Sequence, residues 1–228
     1  MTALAAYAAG LSQGAECWLY TADGIRRRLP LKRWIADADQ RDAAIVAATV
    51  AGLRLGARQR SGSVLDVGCG PGRLTAALAA TGARAVGIDV CAAAVALTRA
   101  RGASALRADV FGVVPRTGRW DRVLLADGNL GIGGDPAALL ARAAQLLAPG
   151  GRVIADVDPS GGIRRAVAWI EATRPGADGP VRIGGSLPWA WVGVDAVAEL
   201  AECSGLALRS VSRLPERWVA VWEKPARR

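Results

Sequence analysis

From Ser61 to Val157, short β-branched runs alternate with longer Ala/Leu segments, and this rhythm constrains the chain more than any other feature. Apolar runs separated by helix-length segments specify a parallel sheet with crossover helices. The runs are Val64 to Val67, Ala85 to Asp89, Ala105 to Ala108, Arg122 to Ala126 and Arg152 to Val157. They carry too few polar positions for a solvated face, as expected of strands covered on both sides. The fold class is α/β.

Helix ends can be read between the runs. Asp135 caps a helix with Pro136 at its first position; Leu139, Leu140, Ala143, Leu146 and Leu147 form one stripe, and Pro149, Gly150 and Gly151 stop it. Gly82 and Gly102 stand where two further helices close with a left-handed residue. Upstream, Asp39 caps a helix expected to reach Leu55, with Val46, Val50 and Leu53 on one face and Gly56 at its end. Leu11 to Ile35 shows no clear period and reads as an irregular cap.

Beyond the fifth run, Gly162 to Trp191 does not repeat the rhythm. Two readings stand. A hairpin turning at Pro175, Gly176, Gly179 and Pro180 would put Trp189 and Trp191 on one face. A helix from Arg164 to Ala172 competes with it. A last helix, Asp195 to Ser204, ends at Gly205, and the strands Leu206 to Arg213 and Arg217 to Glu223 are too closely linked to be anything but antiparallel.

At 228 residues, one domain is expected. The chain contains no histidine, which excludes a Ser-His-Asp hydrolase and removes the commonest metal ligand. Cys17, Cys69, Cys91 and Cys203 form no CxxC pair, so we expect no metal site and no disulfide, only small buried thiols. The net charge is +9, yet Lys32 and Lys224 are the only lysines and the arginines are dispersed, with one triplet at Arg26, Arg27 and Arg28. That skew reads as a composition preference, and nucleic acid is kept as an alternative partner only. No apolar run approaches the ~20 residues of a membrane span. Met1 to Gly10 lacks the pattern of a secretory signal, so a soluble, cytoplasmic protein is expected.

The chemistry is carried by Val64-Leu-Asp-Val-Gly-Cys-Gly-Pro-Gly-Arg73, a glycine turn between the first strand and a helix. Gly68 and Gly70 let backbone approach a ligand closely, at the sheet edge where ligands of open parallel sheets bind. Asp89 ends the second strand within reach of a ribose diol. The spacing is G-x-G-x-G with an acid two residues ahead; a pyrophosphate would be repelled by that acid, whereas a cationic amino group would be attracted.

These residues resemble the class I S-adenosylmethionine-dependent methyltransferases, over most of Val64 to Lys224. The resemblance implies a Rossmann-like, seven-stranded, mostly parallel sheet of order 3-2-1-4-5-7-6, with strand 7 antiparallel and helices on both faces. It also implies that Asp66, Gly68, Cys69, Gly70 and Gly72 hold the methionine part of the cofactor. Asp89 and Val90 would meet the ribose and adenine, Asp109 and Val110 the adenine, and Asp127, Asn129 and Leu130 the border with the acceptor. Leu147 to Gly151 resembles the family's turn into the fifth strand. Residues 1–60 are then a cap and first helix of the same domain, and 61–228 the methyltransferase domain with a substrate-side insertion at about 160–192.

The expected function is methyl transfer to a small-molecule acceptor; alternatives are an RNA or protein methyltransferase, or a cofactor-binding protein without turnover. The sequences of amino-methylating nucleic acid enzymes and of cytosine-C5 enzymes are absent after the fourth strand. No catalytic base stands out; candidates are Asp127, Asp158, Tyr7 and Tyr20. Trp189 and Trp191 are expected to roof a pocket and Trp218 and Trp222 to sit in the core. Arg164, Arg165 and Arg182 are expected to be solvated, with binding of an acidic substrate as their second reading.

Overall fold

The computed structural model describes residues 4–56, 62–173, 181–182 and 185–226, with backbone alone at 181–182. The chain opens with α1 (Ala5–Gln13), β1 (Glu16–Thr21), β2 (Arg26–Arg28), α2 (Leu31–Ile35) and α3 (Gln40–Val50). The alternating region follows as β3 (Ser63–Val67), α4 (Arg73–Ala80), β4 (Arg84–Asp89), α5 (Ala92–Ala100), β5 (Ser104–Arg107), β6 (Trp120–Leu125), α6 (Pro136–Leu146) and β7 (Leu147–Val157). Then come β8 (Ile163–Thr173), β9 (Val181–Arg182), β10 (Leu187–Val192), α7 (Val197–Ser204), β11 (Ala207–Leu214) and β12 (Arg217–Glu223).

Seven strands form one sheet in the order β11-β12-β7-β6-β3-β4-β5. The pairs from β7 to β5 are parallel, and β12 runs antiparallel to both of its neighbours. Numbered among themselves these strands read 3-2-1-4-5-7-6, the expected order. Side chains alternate across the sheet. Leu65, Val67, Val123, Leu125, Val153 and Ala155 pack with Leu139 and Leu140 of α6 and Val197 and Leu200 of α7. Val64, Leu124 and Ile154 turn to the other face, onto Ile45 and Val46 of α3 and Leu74 and Leu78 of α4. Burial on both faces is why these strands lack polar alternation.

Helix ends follow the local chemistry. Asp135 accepts from the N–H groups of Ala137 and Ala138, and Asp39 forms a capping box with Asp42. Gly82 and Gly102 are left-handed, at φ 89° and 77°. Two expected boundaries move. The helix capped by Asp39 ends at Val50 rather than Leu55, because Gly52 is already left-handed at φ 72°. The helix from Pro136 stops at Leu146, and β7 starts at once, pairing Leu147 with Trp120.

A second, antiparallel sheet, β10-β8-β1-β2 with β9 on β8, corrects two readings. Leu11 to Ile35 is not irregular: it includes β1, β2 and α2. The period was masked because β1 carries large apolar groups on both sides, Cys17 and Leu19 inward and Trp18 and Tyr20 outward. Arg164 to Ala172 is not a helix but lies within β8, pairing Glu16–Thr21 on one edge and Leu187–Val192 on the other. The expected turn residues Pro175, Gly176, Gly179 and Pro180 lie outside the described residues. Trp189 and Trp191 do share a face of β10. Cys17 and Cys91 are buried, but Cys203 is exposed, on the outer side of α7. Among the described residues no helix is long and apolar enough to cross a membrane.

The two sheets meet through a 3-10 turn, Asn129–Gly131, with a bridge between Ile132 and Trp189. A Cβ on Gly131 would lie 1.9 Å from the Ala190 carbonyl oxygen. Gly131→Ala should therefore force the sheets apart and cost about 1–3 kcal/mol, the usual overpacking penalty. Urea unfolding measures this; wild-type stability in the variant would contradict the contact.

Candidate active site

A cavity of about 1040 Å³ opens at the carboxyl ends of β3, β4, β6 and β7, beneath the inner face of the second sheet. Asp66, Gly68, Cys69, Gly70, Asp89, Val90, Asp109, Val110, Asp127, Asn129 and Leu130 all line it. Gly72 does not. It precedes α4 at φ 84°, where a Cβ would sit 2.5 Å from Thr98 Cγ2, so its role is to pack α4 against α5.

The glycine turn is held from several sides. The N–H groups of Gly68 and Cys69 both donate to the Ile88 carbonyl, at 2.8 and 3.1 Å. Asn129 Nδ2 donates to the carbonyls of Val67 and Gly68, each at 2.9 Å. A Cβ on Gly68 would approach that amide nitrogen to 2.7 Å. Asn129 therefore shapes the turn directly. Asp89 Oδ2 accepts from the Gly70 N–H at 3.0 Å and Oδ1 from the Cys91 N–H at 2.7 Å. Burial pushes its carboxyl up while these N–H groups pull it down. Each oxygen keeps a lone pair for a diol.

Asp66 is 2 % exposed, and its Oδ2 accepts from the Thr75 hydroxyl at 2.6 Å. Burial, aided by the charges of Asp127 and Asp89 and opposed by Thr75 and Arg73, pushes its pKa up to about 6. A cationic ligand would relieve that field. At the far end, Asp109 is exposed; its Oδ1 accepts from the Phe111 N–H at 2.9 Å, and Val90 and Phe111 stand open on the same wall.

Behind the turn lies an ion network that sequence spacing did not reveal. Arg73, 4 % exposed, bridges Asp42 and Asp127. Arg217 reaches Asp156 at 2.8 Å, Asp42 at 3.2 Å and Asp127 at 3.8 Å, and Arg33 reaches Asp42 at 2.9 Å. The Asp127 N–H donates to Asp156 Oδ2 at 2.8 Å. Burial works against Asp42, but the hydrogen bond and charge of Arg73 hold its carboxyl below the usual range. Arg73 followed the glycines in plain view; its partners come from α3 and from the loop after β6, which no local pattern connects.

The base candidates separate here. Asp127 is at φ 54° and engaged by two arginines, so it is a structural member of the network. Asp158 lines the cavity, and among the described residues its carboxylate has no partner. Tyr7, from α1, also lines the cavity, with its hydroxyl 3.1 Å from where a Gly70 Cβ would be; burial raises its pKa. Tyr20 stacks on Trp169 on the outer face of the second sheet, away from the cavity. Trp189 and Trp191 line the cavity as expected, and so does Trp218, only half of the expected core pair; Trp222 is fully buried. Arg164 pairs with Asp23 at 3.1 Å and covers Trp191 at 3.7 Å, while Arg165 is exposed; the Arg182 side chain lies outside the described residues.

Fold and cavity together define an α/β protein with a cavity at the carboxyl ends of its parallel strands, roofed by an added sheet. Residues 64–151 match the family model described as a methyltransferase domain. Its backbone is similar to an S-adenosylmethionine-dependent methyltransferase from Bacteroides fragilis solved with S-adenosylhomocysteine. That match has 17% identity and TM-score 0.71, covering 98% of this chain and 94% of that one. It is also similar to the 1,6-didemethyltoxoflavin-N1-methyltransferase of Burkholderia thailandensis, at 21% identity and TM-score 0.56 over 82% of this chain and 77% of that one. An amino pentose methyltransferase from Micromonospora echinaspora matches at 20% identity and TM-score 0.56, over 85% and 94% of the two chains. No curated protein matches the sequence.

Proposed function

We propose that the chain binds S-adenosylmethionine in this cavity and transfers its methyl group to a small-molecule acceptor. The reading rests on one conjunction: Asp66 with the glycine turn, Asp89 and Asp109 stand at the ends of three adjacent strands on one cavity wall. The residues fit the cofactor. Gly70, at φ 55°, leaves a cradle beside the Tyr7 hydroxyl that any side chain would fill. Asp66 supplies negative charge for an ammonium group, Asp89 two acceptors for a ribose, and Val90 and Val110 apolar surface for a purine.

The cofactor supplies an activated methyl on a sulfonium. The protein's part is to hold the acceptor atom at roughly 3–3.5 Å from it and keep water away. Leu19, Ile170, Trp189 and Trp191 of the second sheet, built from the cap and the 160–192 insertion, close over the acceptor end. Such a roof suits a small molecule better than a polymer, and the toxoflavin and amino pentose enzymes named above act on small molecules. Asp158 is placed to take a proton from a hydroxyl or ammonium acceptor. Free thiols at all four cysteines fit a reducing, cytoplasmic setting.

Calorimetry with S-adenosylhomocysteine tests the first half. Wild type should bind, and Asp89→Ala should weaken binding by about 10- to 150-fold, since charge-assisted hydrogen bonding of about 1.5–3 kcal/mol is lost. No heat with wild type rejects the reading. Labelled cofactor incubated with cell extract tests the second: label in the acid-soluble, low-mass fraction is expected, whereas label in acid-precipitable material selects an RNA or protein acceptor.

A further inference from the structure

The acceptor end of the cavity holds charges that its own architecture leaves over. Arg73, Arg217 and Arg33 are each matched to aspartates, and Asp127 and Asp156 are matched in return. Arg27 and Arg213 also line the cavity, and among the described residues neither has an acidic partner, although acids are nearby. Arg27 is paired in register with Leu19, whose side chain lies on the cavity wall, so Arg27 projects from the inner face of the roof. Its neighbour Arg26 points the other way and is taken up by Trp18 at 4.0 Å. Arg213 rises from the opposite wall, in register with Trp218, which also lines the cavity.

Two exposed guanidinium groups without an acidic partner thus line the same cavity as Trp189, Trp191 and Trp218, and Asp158 just after β7 is a cavity carboxylate without a partner among the described residues. Guanidinium is the side chain best suited to a planar oxyanion, and aromatic walls favour a flat ligand. Resting on the methyltransferase reading above, we infer that the acceptor is a flat organic anion. Its acidic group lies toward Arg27 and Arg213 and its ring among the tryptophans. The methylated atom then faces Asp158 and the sulfonium side. This moves acidic-substrate recognition from Arg164, which is engaged by Asp23 and Trp191, and Arg165, which does not line the cavity, to Arg27 of the arginine triplet and to Arg213, which both do.

A matched pair of dyes tests the inference without the natural acceptor: 8-anilinonaphthalene-1-sulfonate and N-phenyl-1-naphthylamine, the same ring system without the sulfonate. Fluorescence titration of the full chain saturated with S-adenosylhomocysteine should give at least tenfold tighter binding of the sulfonate. Arg27→Gln and Arg213→Gln should each reduce that preference, and the double variant should bring it below threefold at an unchanged Tm. Arg165→Gln, on the outer face, should leave it intact. Equal binding of the two dyes, tighter binding of the neutral one, no binding of the sulfonate, or a preference that survives the double substitution overturns the inference. If S-adenosylhomocysteine does not bind by calorimetry, the methyltransferase reading fails by itself, and the dye comparison is still read on the free protein.

Discussion

Replacing Arg73 with methionine should cost about 3–5 kcal/mol of folding free energy, because a buried ion pair broken on one side leaves uncompensated charge behind. Methionine fills much the same volume, so the loss is electrostatic. Asp42, 1 % exposed, keeps Arg33 and Arg217, but Asp127 is left with only the longer contact to Arg217. Asp42 is held below its ordinary 3.8, so its contribution is present above that pH and lost as pH falls through the folded value. The gap between Arg73→Met and wild type should therefore be widest at neutral pH and narrow only as pH falls below about 4. Asp127→Asn placed on top of Arg73→Met should recover part of the loss. Urea unfolding across pH is the measurement; a pH-independent gap under 1 kcal/mol would show that Arg73 acts by packing alone.

Asp66→Asn should weaken binding of S-adenosylmethionine by roughly 100-fold, about 2.7 kcal/mol, while making the free protein more stable. The two effects share one cause. Ionised Asp66 is buried, with a folded pKa of about 6 against 3.8 when exposed. The folded state thus binds its proton more tightly than the unfolded state, and stability gained below pH 3.8 is lost as pH rises through about 6. At pH 7.5 the wild type carries that cost in full, up to about 3 kcal/mol. Asparagine removes the charge and still accepts from Thr75. Thermal melts at pH 7.5 and 5.0 should show the variant ahead at the higher pH and the difference shrinking at the lower. A variant that binds the cofactor normally would mean the ammonium group is recognised elsewhere.

Much of the main sheet was legible because its strands are buried on both faces and its helices end in chemistry that acts locally: Asp135 before Pro136, Gly82, Gly102 and Gly205. Asp66, the glycines, Asp89 and Asp109 were legible for a related reason, since each sits at a strand end fixed by the same rhythm. Gly72 was misread as lining because spacing cannot tell a glycine needed for ligand approach from one needed against Thr98.

The second sheet was legible only in part: the hairpin reading of Gly162 to Trp191 anticipated the β8–β10 pair, but the pairing with residues 16–28, whose largest side chains occupy both faces, was not readable. A strand's hydrogen bonds reach across the chain, and no window along the sequence contains both partners. The amino-acid order by itself determined the layered sheet, the capped starts of its helices at Asp39 and Asp135 and the acid-glycine turn, because capping, turn conformation and two-sided burial are local. Tertiary structure alone decided the roof, the Asp42–Arg73–Asp127 bridge and the unmatched Arg27 and Arg213, because pairing of charges and of strand edges depends on distances that only the folded chain sets.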